Sequence, residues 1–132
     1  MSNFLTKSEQ NQTIGIHIKD EYQEKAACSI YCFYYSCIQI MAHVHYFILK
    51  KEGRISCEEV SKTVFDEIEK QLYYDYTDKK SFKKNIKMNF LQIETMRKEE
   101  EYTTISHSMA QVNFVFKCSK EIISFLKKHY HI

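Results

Sequence analysis

The sequence predicts an all-α protein, an up-and-down helical bundle of four to five helices in one domain spanning residues 1–132. Three observations carry that expectation. Pro is absent and Gly occurs only at Gly15 and Gly53, which removes the usual punctuation of hairpins and sandwiches and favours long helices. Apolar residues recur at steps of three and four along most of the chain. From Ala26 to Leu49 there is no Asp, Glu, Lys or Arg, and Lys25 and Lys50 stand at either end. A chain of this length buries a core without metals or disulfides.

In the opening segment Phe4, Asn11, Ile14 and Ile18 fit a helical face. Ile14, Ile16 and Ile18 also alternate like a short strand around Gly15, and the helix is preferred. The uncharged stretch follows. Its length would suit a membrane span of about 20 residues, but Ser29, Ser36, Gln39, His43 and His45 lie inside it, and polar groups at mid-membrane need partners that one span lacks. Ala26, Ile30, Phe33, Cys37, Met41, Val44 and Ile48 form one helical stripe, widened by flanking aromatics into an arc that touches neighbours on several sides. The expectation is a central, buried helix, starting near Asp20 or Glu21 and stopping at "KKEGR", where Gly53 suits a left-handed cap.

Ser56 followed by Glu59 is a capping-box pattern, and Val60, Val64, Ile68 and Leu72 mark the face of the helix it opens. "YYDYTDKKS" reads as a polar break. Phe82, Ile86, Phe90 and Ile93 then define another helix, and one more step of four lands on Arg97. A charge on a core stripe is costly unless paired. It fits an exposed, snorkelling end, an anchor to a carboxylate or tyrosine inside the bundle, or a groove that holds something. The last helix carries Ile105, Met109, Val112, Phe116, Ser119, Ile123, Leu126 and Tyr130 on one face, after a break placed close to Tyr102 and Thr103. So short a break makes these two helices antiparallel neighbours.

A formal charge of +2 is too small to argue for nucleic acid by itself. Local features matter more. Lys80, Lys83, Lys84 and Lys87 cluster on one helix face after Tyr73, Tyr74 and Tyr76, a basic stripe beside aromatics that suits phosphates and stacked bases; a merely solvated face has the same pattern. Five cysteines without a C-x-x-C pair fit reduced, buried thiols, and no metal or other cofactor is expected. No Gly-rich phosphate loop, HExxH or G-x-S-x-G is present. The first residues lack a basic start followed by an apolar run, so a cytoplasmic protein is expected.

Two pieces of this sequence resemble the HEPN superfamily of small helical bundles. "SIYCFYYSCIQIM" is similar to the tyrosine-rich central helix of those proteins, in which a YY pair precedes a small residue. "MRKEEEYTTISHSMAQVNFVFKCSKEIISFL" resembles their Arg-x-x-Ala-Asp-Tyr element and final helix: Arg97 matches the Arg and Tyr102 the Tyr, with Glu100 where Ala is usual and Glu101 where Asp is usual. With the helix order, the likeness covers about Lys7 to Lys127. It implies a HEPN-like fold, a homodimer, and a prokaryotic defence or toxin–antitoxin setting with RNA or a small nucleotidyltransferase protein as partner.

Many HEPN proteins are metal-independent ribonucleases with an Arg, four to six residues and a His. From Arg97 that window holds Tyr102, Thr103 and Thr104 but no His; His107 comes later, nine residues intervening. A hairpin would bring Arg97 and His107 to one level, yet His107 falls about 200° from the Ile105–Met109 stripe and is expected to face away from the core seam. A His as acid or base and an Arg fork for the phosphorane suit cleavage by 2′-hydroxyl attack. Three readings stay open: a HEPN-like module that binds RNA or a protein without a complete ribonuclease motif, a divergent endoribonuclease using Arg97 and His107 with Tyr102, and a protein-interaction domain with no nucleic-acid role.

Overall fold

The computed structural model describes residues 2–132, and among them every regular element is helical. Helix α1 is Asn3–Glu21; a 3-10 turn, Gln23–Lys25, leads into α2, Ala26–His43, which a π turn prolongs over Val44–Ile48. Helix α3 is Cys57–Gln71. Helix α4, Tyr76–Phe82, passes through a second π turn, Lys83–Lys87, directly into α5, Met88–Tyr102, and α6 is Met109–Tyr130. The chain therefore folds into five rods, α4 and α5 sharing one.

Helix α2 is the central wall. Ile30, Phe33, Cys37, Met41 and Val44 are fully buried, and α1, α3, α5 and α6 all pack on it. No helix among the described residues is long and apolar enough to cross a membrane. The stripes of α3 (Val60, Val64, Ile68) and of the α4–α5 rod (Phe82, Ile86, Phe90, Ile93) close the core from the other side. Along the rod the first steps are fours, and the wider π turn between Phe82 and Phe90 helps keep them on one face.

Pairings fix the directions. Ser8 and Gly15 of α1 bond to Ser36 and Ser29 of α2, so these helices are antiparallel. Glu100 meets His107 while Phe82 stacks near Phe125, which makes the α4–α5 rod and α6 antiparallel as expected. Glu58 pairs with Lys98 and Glu69 with Lys87, giving the same relation between α3 and that rod. Tyr34 stacks on Phe90, whereas Cys28 and Tyr31 line a hollow with Arg97 and Glu101; α5 thus opposes α2 as well. It follows that α2 and α3 run the same way, and strict up-and-down alternation is interrupted there. The connection doubles back along α2, with the Lys51 N–H bonded to the His45 carbonyl and the Tyr46 hydroxyl to that of Gly53.

Helix α1 packs through small and polar residues. Gly15 and Ser8 are buried while Ile14 is 49% exposed, so the apolar face expected from the sequence is displaced. The cause is close approach: a Cβ on Gly15 would lie 2.7 Å from the Phe33 ring. Gln12 completes the seam by donating to the Ser36 hydroxyl at 2.7 Å and the Ser119 hydroxyl at 2.9 Å.

Other boundaries differ from expectation for local reasons. Helix α2 does not begin at Asp20 or Glu21, because Tyr22 leaves the helical region (φ −134°, ψ 65°). The left-handed residue that follows its π turn is Lys50 (φ 57°), while Gly53 (φ 85°) turns the loop beyond. Helix α4 opens at Tyr76, well before Phe82, because the Asp75 side chain accepts the Asp78 N–H and caps it. The α6 seam runs through Val112, Val115, Cys118, Ser119, Ile122 and Leu126, leaving Phe116 and Ile123 half-buried and Ile105 outside the helix.

Candidate functional site

The turn between α5 and α6 gathers Arg97, Tyr102 and His107 at one corner and turns them apart. Arg97 points inward. Its Nη1 donates to the Glu101 carboxylate at 2.9 Å, and its guanidinium lies 4.6 Å from the centroid of the fully buried Tyr34 ring. Burial opposes the Arg97 charge, but the hydrogen bond to the Glu101 carboxylate leads the contributions that outweigh it and raise its pKa. Tyr102 ends α5 and is 75% exposed.

His107 is buried rather than facing away from the core. It belongs to the loop before α6, not to the helix, so the helical rotation argument does not govern it. Glu100 holds it twice, accepting its backbone N–H at 2.9 Å and its Nδ1 at 2.8 Å, and Glu99 lies 3.7 Å from Nε2. A proton on Nδ1 and an ionised Glu100 satisfy the shorter contact. Both ring nitrogens thus face carboxylates of the preceding helix. The pattern S-M-A-Q sets the end of this loop: the Ser108 hydroxyl accepts the Gln111 N–H, and the Gln111 side chain accepts the Ser108 N–H at 2.8 Å.

A second cluster surrounds the α3–α4 corner. Tyr73, Tyr74 and Tyr76 are 67%, 97% and 78% exposed. Tyr73 and Tyr74 meet edge to face, and the Lys79 ammonium sits over the Tyr73 ring. Lys80, Lys83 and Lys84 project from α4 and its π turn as exposed cations. Lys87 differs from them, because its ammonium is bound to Glu69 at 2.8 Å and braces the rod against α3. Asp75 and Asp78 temper the positive charge at the start of α4; their mutual contact raises the Asp78 pKa.

Between the α4 rod and α6, with Leu72 from the end of α3 in its lining, lies an open groove of about 400 Å³ that Phe82, Ile86 and Phe125 also line. Sequence reading missed it, because its two walls are remote in the chain. Cys32, Cys37 and Cys118 are buried thiols, Cys57 is half-buried and Cys28 is exposed. Among the described residues no group of three or more His, Cys, Asp or Glu could hold a metal ion. Comparison of the chain with protein-family models, with curated proteins and with solved structures gives no match.

Proposed function

We propose that this chain is a HEPN-like helical binding module that works as a homodimer and engages single-stranded RNA at the α3–α4 corner without cutting it. The observation that carries this reading is the group of exposed rings, Tyr73, Tyr74 and Tyr76, beside the exposed Lys80, Lys83 and Lys84. Rings left in water serve no core, whereas bases stack on them in a sequence-tolerant way while lysines hold the phosphates. Against catalysis stand the internal ties of the other cluster: Arg97 is engaged by Glu101 and Tyr34, and His107 by Glu100. The resemblance to HEPN proteins supports a prokaryotic defence or toxin–antitoxin setting, with a small nucleotidyltransferase as protein partner.

Fluorescence anisotropy with a labelled single-stranded RNA tests the reading. Tyr74→Ala and Tyr76→Ala are expected to weaken binding by about tenfold each. Contacts from three lysines give a slope of about −2 in log affinity against log salt, and Lys80→Ala, Lys83→Ala and Lys84→Ala together flatten it. A protein that ignores RNA but captures a nucleotidyltransferase through the same tyrosines would instead be the interaction domain of the third reading. Sedimentation of the purified chain tests the dimer, and a monomer at all concentrations overturns that part.

A further inference from the structure

Resting on the RNA reading above, we infer that the binding surface continues past the α3–α4 corner: a single strand leaving the tyrosines crosses beside Lys128 and lies along the outward face of α6, where Lys128, Lys120 and Lys117 hold its phosphates. Lys117, Lys120, Glu121, Ser124 and Lys128 share one side of α6 and line a shallow hollow of about 550 Å³. Helical spacing sets that side opposite the seam that buries Val115, Ile122 and Leu126. The outermost two lysines stand about 16 Å apart along the axis. All three are exposed, and among the described residues no carboxylate comes within ion-pair distance of any of them. The Lys120 ammonium rests 5.5 Å from the centroid of the Phe116 ring, a contact that steadies it without neutralising it.

Two directions lead away from the corner, and charge decides between them. Helix α3 carries five carboxylates against Lys62 and Lys70, and two of its acids, Glu58 and Glu69, already take up Lys98 and Lys87 of the neighbouring rod. A phosphate chain is repelled on that side. Helix α6 has Glu121 as its one carboxylate, against Lys117, Lys120, Lys127 and Lys128. The way to α6 is also continuous. Leu72 and Asp78, close in the chain to Tyr73 and Tyr76, line the groove between the α4 rod and α6, and Lys128 lines both that groove and the α6 hollow. Asp78 is the carboxylate a strand must pass, and Lys128 stands close enough to offset its charge. Lysines on a helix face contact the backbone and read no base, so the added surface is sequence-tolerant.

Anisotropy over a salt series, on the full chain with oligouridines of about five and about sixteen nucleotides, a span within known single-strand site sizes, tests the route. The short strand, confined to the corner, is expected to keep a slope of about −2 in log affinity against log salt; the long one should steepen to about −4, since three more phosphate contacts add about 0.7 each. Lys117→Gln, Lys120→Gln and Lys128→Gln together should return the long strand to about −2 and leave the short one unchanged, with circular dichroism confirming the fold. Removing as much charge elsewhere, by Lys25→Gln, Lys51→Gln and Lys62→Gln at exposed positions, should leave both slopes as they are. Equal slopes for the two lengths, a steep slope that survives the α6 substitutions, or equal flattening by the control set overturns the α6 route while leaving the tyrosine–lysine corner in place. Absence of binding to every RNA overturns both.

Discussion

The guanidinium of Arg97 lies over the ring of Tyr34 at 4.6 Å from its centroid, the side of Arg97 being closed by Glu101 at 2.9 Å. Burial is the main reason that the Tyr34 hydroxyl is held well above its ordinary pKa, with the Glu94 carboxylate adding to it, so the tyrosine is neutral and offers its ring as the partner. The pair ties α5 to the central helix: the Glu101 carboxylate and the Tyr34 ring face the charge that the sequence places on a core stripe, while Arg97 Nε is buried without a hydrogen-bond partner.

Arg97→Ala is therefore expected to cost about 2 kcal/mol of stability, from a largely desolvated cation–π contact and an ion pair. Arg97→Lys should recover part of it. Urea denaturation of the three proteins measures both; a loss-free alanine variant would show that the contact contributes nothing.

Gly15→Ala sets two effects against each other. Alanine gains about 1 kcal/mol of helix propensity, but its Cβ would meet Phe33 atoms at 2.7–3.0 Å. Phe33 is fully buried and packs on Phe116 at 5.2 Å, so it has little room to yield. Overpacking of about 1–3 kcal/mol should win, and thermal unfolding should fall by several degrees.

These two residues show what the sequence conveyed. The central stripe from Ile30 to Val44 was legible because its period and absence of charge agree, and the Ser56 cap because its partner is three residues away. Gly15 was not, since its role depends on a ring 18 positions later, and hydrophobicity favoured Ile14 instead. His107 was misjudged because the break, correctly placed at Tyr102 and Thr103, was taken as short, whereas the loop runs on to Ser108. The S-M-A-Q capping box at Ser108 was readable by the same rule as Ser56 and would have put His107 in a loop. The α2–α3 crossover and the α4–α6 groove depend on which rods pair, which periodicity does not encode.

Thiol chemistry should follow burial. Burial pushes the Cys37 thiol up to about 12 and that of Cys118 to about 11, so in the native state both are protonated and inaccessible. Alkylation followed by mass spectrometry should modify Cys28 first and Cys37 and Cys118 only on unfolding. In the unfolded chain these thiols ionise near their ordinary values, so the unfolded state loses protons first and stability should decline as pH rises from about 9 toward 12.

At acid pH the opposite linkage applies. His45 is 3% exposed with both ring nitrogens unpartnered, and burial, with Lys51 nearby, lowers its pKa. His43 and His129 are lowered chiefly by burial too. The unfolded chain therefore takes up protons first, and stability present above about pH 6.5 should be lost as pH falls below it. His45→Leu should flatten part of that slope in denaturation series between neutral and mildly acid pH, leaving the share of the other two histidines.

The most direct measurement incubates labelled single-stranded RNA with the purified chain in EDTA and reads binding by anisotropy and cutting by gel in the same samples. The account predicts a bound, intact RNA that Tyr74→Ala and Tyr76→Ala release and that Arg97→Ala and His107→Ala variants of confirmed fold still bind. RNA cut by the wild type and left whole by Arg97→Ala and His107→Ala would contradict it, and would establish a metal-independent ribonuclease centred on those two residues.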